Sequence, residues 1–264
     1  MKWTPDAETA LKRVPFFVRK RVRARVEAEA YEGGKKVVSP DDVKACQARF
    51  LSKMKSEIKG YQLETCFGPS GCPNRANISD QLIQKLETEL KKEDLLGFLK
   101  NTVKGELKFH HEFRVTLADC PNACSQPQIK DIGIIGATLP GVTDAACTLC
   151  EACIEACRET AIKLDDLSPK LNFNLCLQCG KCVKVCPTGT LAAARSGYRV
   201  QLGGKLGRHP KLAQELPALF SEKEVLQIVK DCIALYKKKS TRGRRFAEVF
   251  TDTDFEGLKD RYIR

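Results

Sequence analysis

Twelve of the fourteen cysteines stand at spacings that could hold iron–sulfur clusters. Cys147, Cys150, Cys153 and Cys157 are spaced C-x2-C-x2-C-x3-C, and Cys176, Cys179, Cys182 and Cys186 repeat that run before Pro187. Such a run wraps three thiolates around one cubane and sends the fourth to the neighbouring cluster. The spacing therefore predicts one [4Fe–4S] cluster on Cys147, Cys150, Cys153 and Cys186, and a second on Cys176, Cys179, Cys182 and Cys157. Zinc sites use paired C-x2-C knuckles rather than runs of four. Cys66 and Cys72 form a C-x5-C, and Cys120 and Cys124 a C-x3-C. These four thiolates suffice for a third [4Fe–4S] cluster, with zinc or unligated thiols as the alternatives that bare spacing leaves open. Cys46 falls on one helical face with Val43, Phe50 and Met54, and Cys232 in a stripe with Val225, Ile228, Val229, Ile233 and Tyr236. Both read as small core residues.

These ligands sit in a chain of 264 residues that is 42% hydrophobic, enough for a packed core. No run of eighteen apolar residues exists, so no membrane span is expected. Met1 to Arg25 is charged and lacks an apolar stretch, so no secretory leader is expected. Cysteine-rich composition without a leader points to metal ligation in a reducing compartment, the cytoplasm. The formal charge of +12 comes from 45 basic and 33 acidic side chains. Each cluster with its four thiolates contributes about −2, so three clusters lower that figure to roughly +6. The basic residues are scattered and no stacking aromatics accompany them, so no nucleic-acid partner is expected.

The elements that must position the ligands give an α+β fold. Residues 1–55 read as two helices: Thr4-Pro5 starts the first, Gly33-Gly34 ends it, and Ser39-Pro40-Asp41-Asp42 starts the second. Arg19 to Arg25 form a basic face that reads as solvated. One helix is expected from Ser79 to Leu99, with Leu82, Leu86 and Leu90 on one side, between two cysteine-bearing loops. Strands are expected at Glu112 to Ala118, at Ile129 to Gly136 and at Tyr198 to Leu202, the last before Gly203-Gly204. Ser221 to Lys237 is the clearest helix, and the tail after it is basic. His110 and His111 are adjacent; on a strand they would face opposite sides, leaving at most one to supply protons.

The C-x5-C and C-x3-C pair resembles the sirohaem-proximal cluster motif of sulfite and nitrite reductases. Arg114-Val-Thr-Leu-Ala-Asp-Cys120-Pro-Asn-Ala-Cys124 is similar to the strand-to-loop segment of that haemoprotein domain, and Ile132-Gly-Ile-Ile-Gly136 to the strand after it. Gly197-Tyr-Arg-Val-Gln-Leu-Gly-Gly-Lys-Leu-Gly-Arg-His-Pro210 is similar to a later strand and glycine turn. A two-cluster ferredoxin domain inserted between those parts looks like the arrangement of dissimilatory sulfite reductase subunits. Trp3-Thr-Pro-Asp-Ala7, Val14 to Arg23 and Glu27 resemble the small C-terminal domain of the B component of light-independent protochlorophyllide reductase. The resemblance implies a helical domain at 1–55, a sirohaem/[4Fe–4S] domain at 56–140 and 191–264, and a ferredoxin domain at 141–190.

It further implies that Cys124 bridges the third cluster to sirohaem, and that sulfite or nitrite is reduced with electrons from a one-electron donor such as ferredoxin. Sirohaem carries eight carboxylates, so cations beside the matched motifs are candidates to hold it or the substrate: Arg114, Lys130, Lys205, Arg208 and His209. Each reads equally as a solvated surface charge. Asn122 and Gln126 flank Cys124 and are candidates to orient the loop or touch the macrocycle. The family's site has two pseudo-symmetric halves and this chain matches one, which implies a homodimer or a complex with another subunit. Two further readings stay open: a three-cluster electron-transfer protein without sirohaem, and a protein acting on a related tetrapyrrole.

Overall fold

The computed structural model describes residues 1–263, and of residues 50–56 the backbone only. The chain divides into a unit of residues 1–58 and a second beginning at Lys59.

In the first unit β1 (Lys2–Trp3) precedes α1 (Pro5–Lys12) and α2 (Phe16–Glu32), and β2 (Val37–Val38) precedes α3 (Pro40–Ser56). The two short strands pair in parallel. Thr4 caps α1, its hydroxyl accepting from the Ala7 N–H at 3.2 Å. The single helix expected from Thr4 to Gly33 is two, because Pro15 cannot donate to the ladder and breaks it between Lys12 and Phe16. Ala7, Val26, Ala30, Val38, Val43 and Cys46 form the core, so Cys46 packs as the sequence suggested. The side chains of Phe50 and Met54 lie outside the described residues.

The second unit is built on a sheet of order β3-β4-β5-β8-β9. It begins with β3 (Tyr61–Thr65), followed by α4 (Asp80–Lys92) and α5 (Leu95–Thr102), then β4 (Phe113–Ala118) and β5 (Ile132–Val142). The insert contributes α6 (Ala152–Ala156), β6 (Ile162–Leu164), β7 (Pro169–Leu171) and α7 (Lys181–Val185). The chain returns as β8 (Leu191–Leu202) and β9 (Gln214–Glu215) and closes with α8 (Glu222–Lys239), α9 (Phe246–Val249) and α10 (Asp252–Tyr262). Strands β3, β4 and β5 run parallel, while β8 returns antiparallel to β5.

Alternation along the strands sends Phe113, Val115, Leu117, Ile132, Ile134, Tyr198, Val200 and Leu202 into one core with the leucines of α4 and α5 and the apolar stripe of α8. Cys232 is fully buried there. The helix expected from Ser79 to Leu99 breaks at Asp94, which takes a left-handed φ of 40° and caps the next helix by accepting from the Gly97 N–H at 3.1 Å. The strand expected from Ile129 starts at Ile132, after a tight turn at Pro127–Ile129. His110 and His111 do not lie on a strand. They belong to a 3-10 turn, which rotates successive side chains far less than a strand does, and their ring centroids are 4.1 Å apart.

Candidate functional site

Parallel pairing of β3 and β4 brings the two halves of the C-x5-C and C-x3-C set together, because Cys66 follows β3 and Cys120 follows β4 at the same end of the sheet. The Cys66 N–H donates to the Leu117 carbonyl at 3.0 Å. The Cys66 sulfur accepts from the Gly68 N–H at 3.2 Å and from the Asp119 N–H at 3.3 Å. Cys120 is 8% exposed, Cys66 and Cys72 are half-buried, and Cys124 is exposed. Burial pushes the Cys120 thiol up; the Asn122 N–H opposes that, and the nearby Cys66, Cys124 and Cys72 add to it. A buried thiol whose proton affinity three neighbouring sulfurs raise suits a polycationic iron core, which relieves the repulsion. Ala123 and Gln126 take left-handed φ values of 52° and 57°, folding the Cys120–Gln126 loop back so that Ser125 bonds the end of β4 through the Leu117 carbonyl.

The eight cysteines of the insert line two separate hollows. One hollow is lined by Cys157, Cys176, Cys179 and Cys182, and another by Cys147, Cys150, Cys153 and Cys186. Backbone N–H groups point at the sulfurs: Leu149 at Cys147, Ala161 at Cys157 and Gln178 at Cys176, each at 3.4 Å, and Leu191 at Cys186 at 3.3 Å. Such donors stabilise thiolate ligands and their cluster. Among the described residues no three His, Cys, Asp or Glu converge closely enough to hold a single ion. The cysteines surround hollows instead, a donor set suited to cubanes.

The first of these hollows is also lined by Pro121 and Asn122, from the loop between Cys120 and Cys124. The insert is fixed there. The Thr138 N–H donates to the Gln178 carbonyl at 2.7 Å, and its hydroxyl donates to the Ala76 carbonyl at 2.6 Å. Lys184 of α7 donates to the Arg75 carbonyl.

The polar candidates fare differently. Asn122, Cys124 and Gln126 share one open loop. Arg114 leaves β4 on the face away from the helices, and its buried Nε–H meets no partner among the described residues, as a group awaiting an anion would. Lys130 is paired with Glu64, and Lys205 with Glu248 at 3.1 Å, so both charges are already answered within the chain. The two lysines lie on adjoining backbone, the Gly204 N–H donating to the Lys130 carbonyl at 2.9 Å. Arg208 and His209 are exposed on a loop closed by paired Lys205 and Lys211. Residues that spacing did not reveal include Asp119, next to Cys120 in sequence, and Arg75 and Ser79, which meet its carboxylate. Their only local signal is a charged residue next to Cys120, which a solvated loop would show equally.

The pattern of the nitrite and sulphite reductase 4Fe-4S domain matches residues 69–262, and that of the proto-chlorophyllide reductase 57 kD subunit matches residues 3–47. The coenzyme F420-dependent sulfite reductase of Methanocaldococcus jannaschii is 31% identical over 174 residues, covering 66% of this chain and 27% of that protein. The B component of the light-independent protochlorophyllide reductase of Pelodictyon phaeoclathratiforme is 54% identical over 41 residues, 16% of this chain and 8% of that one. The crystal structure of dissimilatory sulfite reductase I superimposes with a TM-score of 0.51 at 14% identity, over 75% of this chain and 51% of that one. The last likeness is one of fold. The chain thus spans only a small part of either curated relative.

Proposed function

The chain belongs to the nitrite and sulphite reductase 4Fe-4S domain family, and from that premise we propose that it reduces sulfite, passing electrons through two ferredoxin-type clusters to a third beside sirohaem. The observation that carries this reading is the hollow of Cys157, Cys176, Cys179 and Cys182, whose lining includes Pro121 and Asn122 of the Cys120–Cys124 loop. A cluster held there adjoins the third site directly. The hollow of Cys147, Cys150, Cys153 and Cys186 has no residue of that loop in its lining and is the entry point for electrons. A one-electron donor such as a ferredoxin fits that role.

Cys66, Cys72, Cys120 and Cys124 hold the third cluster. The exposed Cys124 sulfur is free to be shared with a second metal, and exposed Asn122 and Gln126 border it. When bound, sirohaem would supply the iron at which the anion is reduced. Arg114 offers its unpaired Nε–H to a carboxylate of the macrocycle or to the anion. Conversion of sulfite to sulfide takes up six electrons and six protons and releases three waters, so single-electron delivery repeats through the same relay. The open face around Cys124, where Phe67 is 80% exposed, is the place for a second half supplied by another copy or another subunit.

A second reading, a three-cluster electron-transfer protein without sirohaem, is favoured by one observation: Lys130 and Lys205 are already paired with Glu64 and Glu248. Anaerobically prepared protein, supplied with sirohaem and extracted with acid–acetone, distinguishes the two. A chlorin-type spectrum is expected, and full cluster content with no chlorin bands refutes the sirohaem reading. In the loaded protein, Cys124→Ser is expected to uncouple the haem and cluster EPR signals while both ferredoxin-type clusters stay reducible.

A further inference from the structure

Asp119 is 1% exposed and stands between the last residue of β4 and Cys120. Its backbone ties the third site together. The N–H donates to the Cys66 sulfur at 3.3 Å, and the carbonyl accepts from Ala76 at 2.7 Å and Asn77 at 3.2 Å. The side chain takes no part in that tying, and any residue could supply those backbone groups. Yet the position carries a carboxylate in the interior, where an ion is costly to desolvate unless it is matched. The match is built: Ser79 donates to Oδ1, and the Arg75 Nε lies 2.6 Å from Oδ2. The carboxylate also packs against Gly68, on which a Cβ would fall 2.1 Å from Oδ2. Arg75 is held from outside by Asp80 as well, and its side chain is 20% exposed.

We propose that the Asp119–Arg75 pair sets the reduction potential of the cluster at Cys66, Cys72, Cys120 and Cys124; the proposal rests on those four thiolates holding a cluster. A fixed negative charge one residue from a ligand disfavours the added electron, and a fixed positive charge favours it. Net charge and hydrogen bonding around the sulfurs are the terms that tune such clusters. Burial keeps the carboxylate unscreened, so its field acts at low effective dielectric. Asp119 and Arg75 are positioning residues in this sense: neither ligates iron, and both act through the cluster's surroundings.

The test is an EPR-monitored redox titration of the anaerobic full-length chain. Asp119→Asn keeps the shape and an acceptor for Ser79, and its third-cluster potential is expected to rise. Arg75→Gln is expected to lower it, and the double variant to return towards the parent value. Each single shift should change the reduced-to-oxidised ratio at the parent midpoint at least tenfold, which is about 59 mV for one electron. The opposite signs are what a merely structural role would not produce. Shifts of the same sign, or none with iron content intact, overturn the proposal. If Asp119→Asn loses iron from the site, the sign of the Arg75→Gln shift decides alone. Cys120→Ser is the separate control: should it keep the parent's full iron content and every EPR signal, the third cluster itself is refuted and the proposal falls with it.

Discussion

Gly180→Ala offers a direct test of whether the insert is locked onto the sheet. Gly180 opens α7 at a left-handed φ of 67°, and a Cβ built on it would lie 2.8 Å from the Thr138 Cβ. An alanine in that conformation costs about 1–2 kcal/mol. Forcing a methyl into a filled contact costs about 1–3 kcal/mol more. The docked arrangement should therefore weaken by about 2–5 kcal/mol. The reporter is the Thr138 amide, bonded to the Gln178 carbonyl at 2.7 Å across the same contact. Its hydrogen-exchange protection is expected to fall by roughly 1.5 to 3.7 decades at about one decade per 1.36 kcal/mol. Reduction of the third cluster through the insert should slow while the iron content holds. The three atoms nearest the built Cβ all belong to the Thr138 side chain. Thr138→Gly combined with Gly180→Ala should therefore recover the steric share, visible as a coupling of about 1–3 kcal/mol in a double-mutant cycle. Unchanged protection in Gly180→Ala, or strict additivity in the cycle, refutes the lock.

Other outcomes follow from individual side chains. Cys46→Ser and Cys232→Ser should leave iron content at the parent value, and Cys232→Ser should lower stability by about 1–3 kcal/mol, because the new hydroxyl is buried in an apolar stripe; thermal melts and iron analysis check both. Glu215 accepts from Arg199 Nε at 2.7 Å and Nη2 at 2.9 Å and from Gln201 at 2.8 Å, so Glu215→Ala should cost about 1–3 kcal/mol and raise amide exchange along β9. Lys35, together with the Ser39 N–H and hydroxyl, holds the Asp42 carboxyl down to about 2. A depressed folded value stabilises above the unfolded value of 3.8 and is lost as pH falls towards 2, so the difference in stability between the parent and Asp42→Asn should vanish across that window; a carboxyl NMR titration of Asp42 with a midpoint no lower than the unfolded value would contradict this.

The runs of the eight insert cysteines are readable in sequence because they are set within short loops, and the structure lines each of two hollows with four of them. Bare spacing offered Cys66, Cys72, Cys120 and Cys124 as one set but left zinc or free thiols open, and the family resemblance narrowed it. Their union depends on β3 lying beside β4, and β3 is five residues whose alternation is too brief to stand out. The break at Asp94 was hidden because helix propensity continues across it; the reset depends on one left-handed residue. The pairing of Lys130 with Glu64, 66 residues away, and of Lys205 with Glu248, 43 away, lies beyond any local pattern. A cation beside a motif is thus an ambiguous signal until its tertiary partner is known, and for these two that partner is a carboxylate of the chain itself.

Under the proposed relay, the topology explains why an insert at this point would serve electron delivery. Strands β3, β4 and β5 are parallel, so their C-terminal ends share one end of the sheet. Cys66 and Cys120 leave from the first two of these ends, and the insert leaves from the third. It returns along β8, antiparallel to β5 as far as Val142 and Leu191. A module placed at the tip of that ribbon arrives beside the four cysteines through strand pairing alone, without a flexible linker to search for its dock. Thr138 sits on the ribbon at the contact, bonded to Gln178 of the insert, to Ala76 of the first cysteine loop and to Ser196 of the returning strand. One residue thus joins the insert, the third site and the sheet. Transfer between clusters depends on a short and constant gap, and a gap defined by paired strands varies less than one defined by a tethered domain.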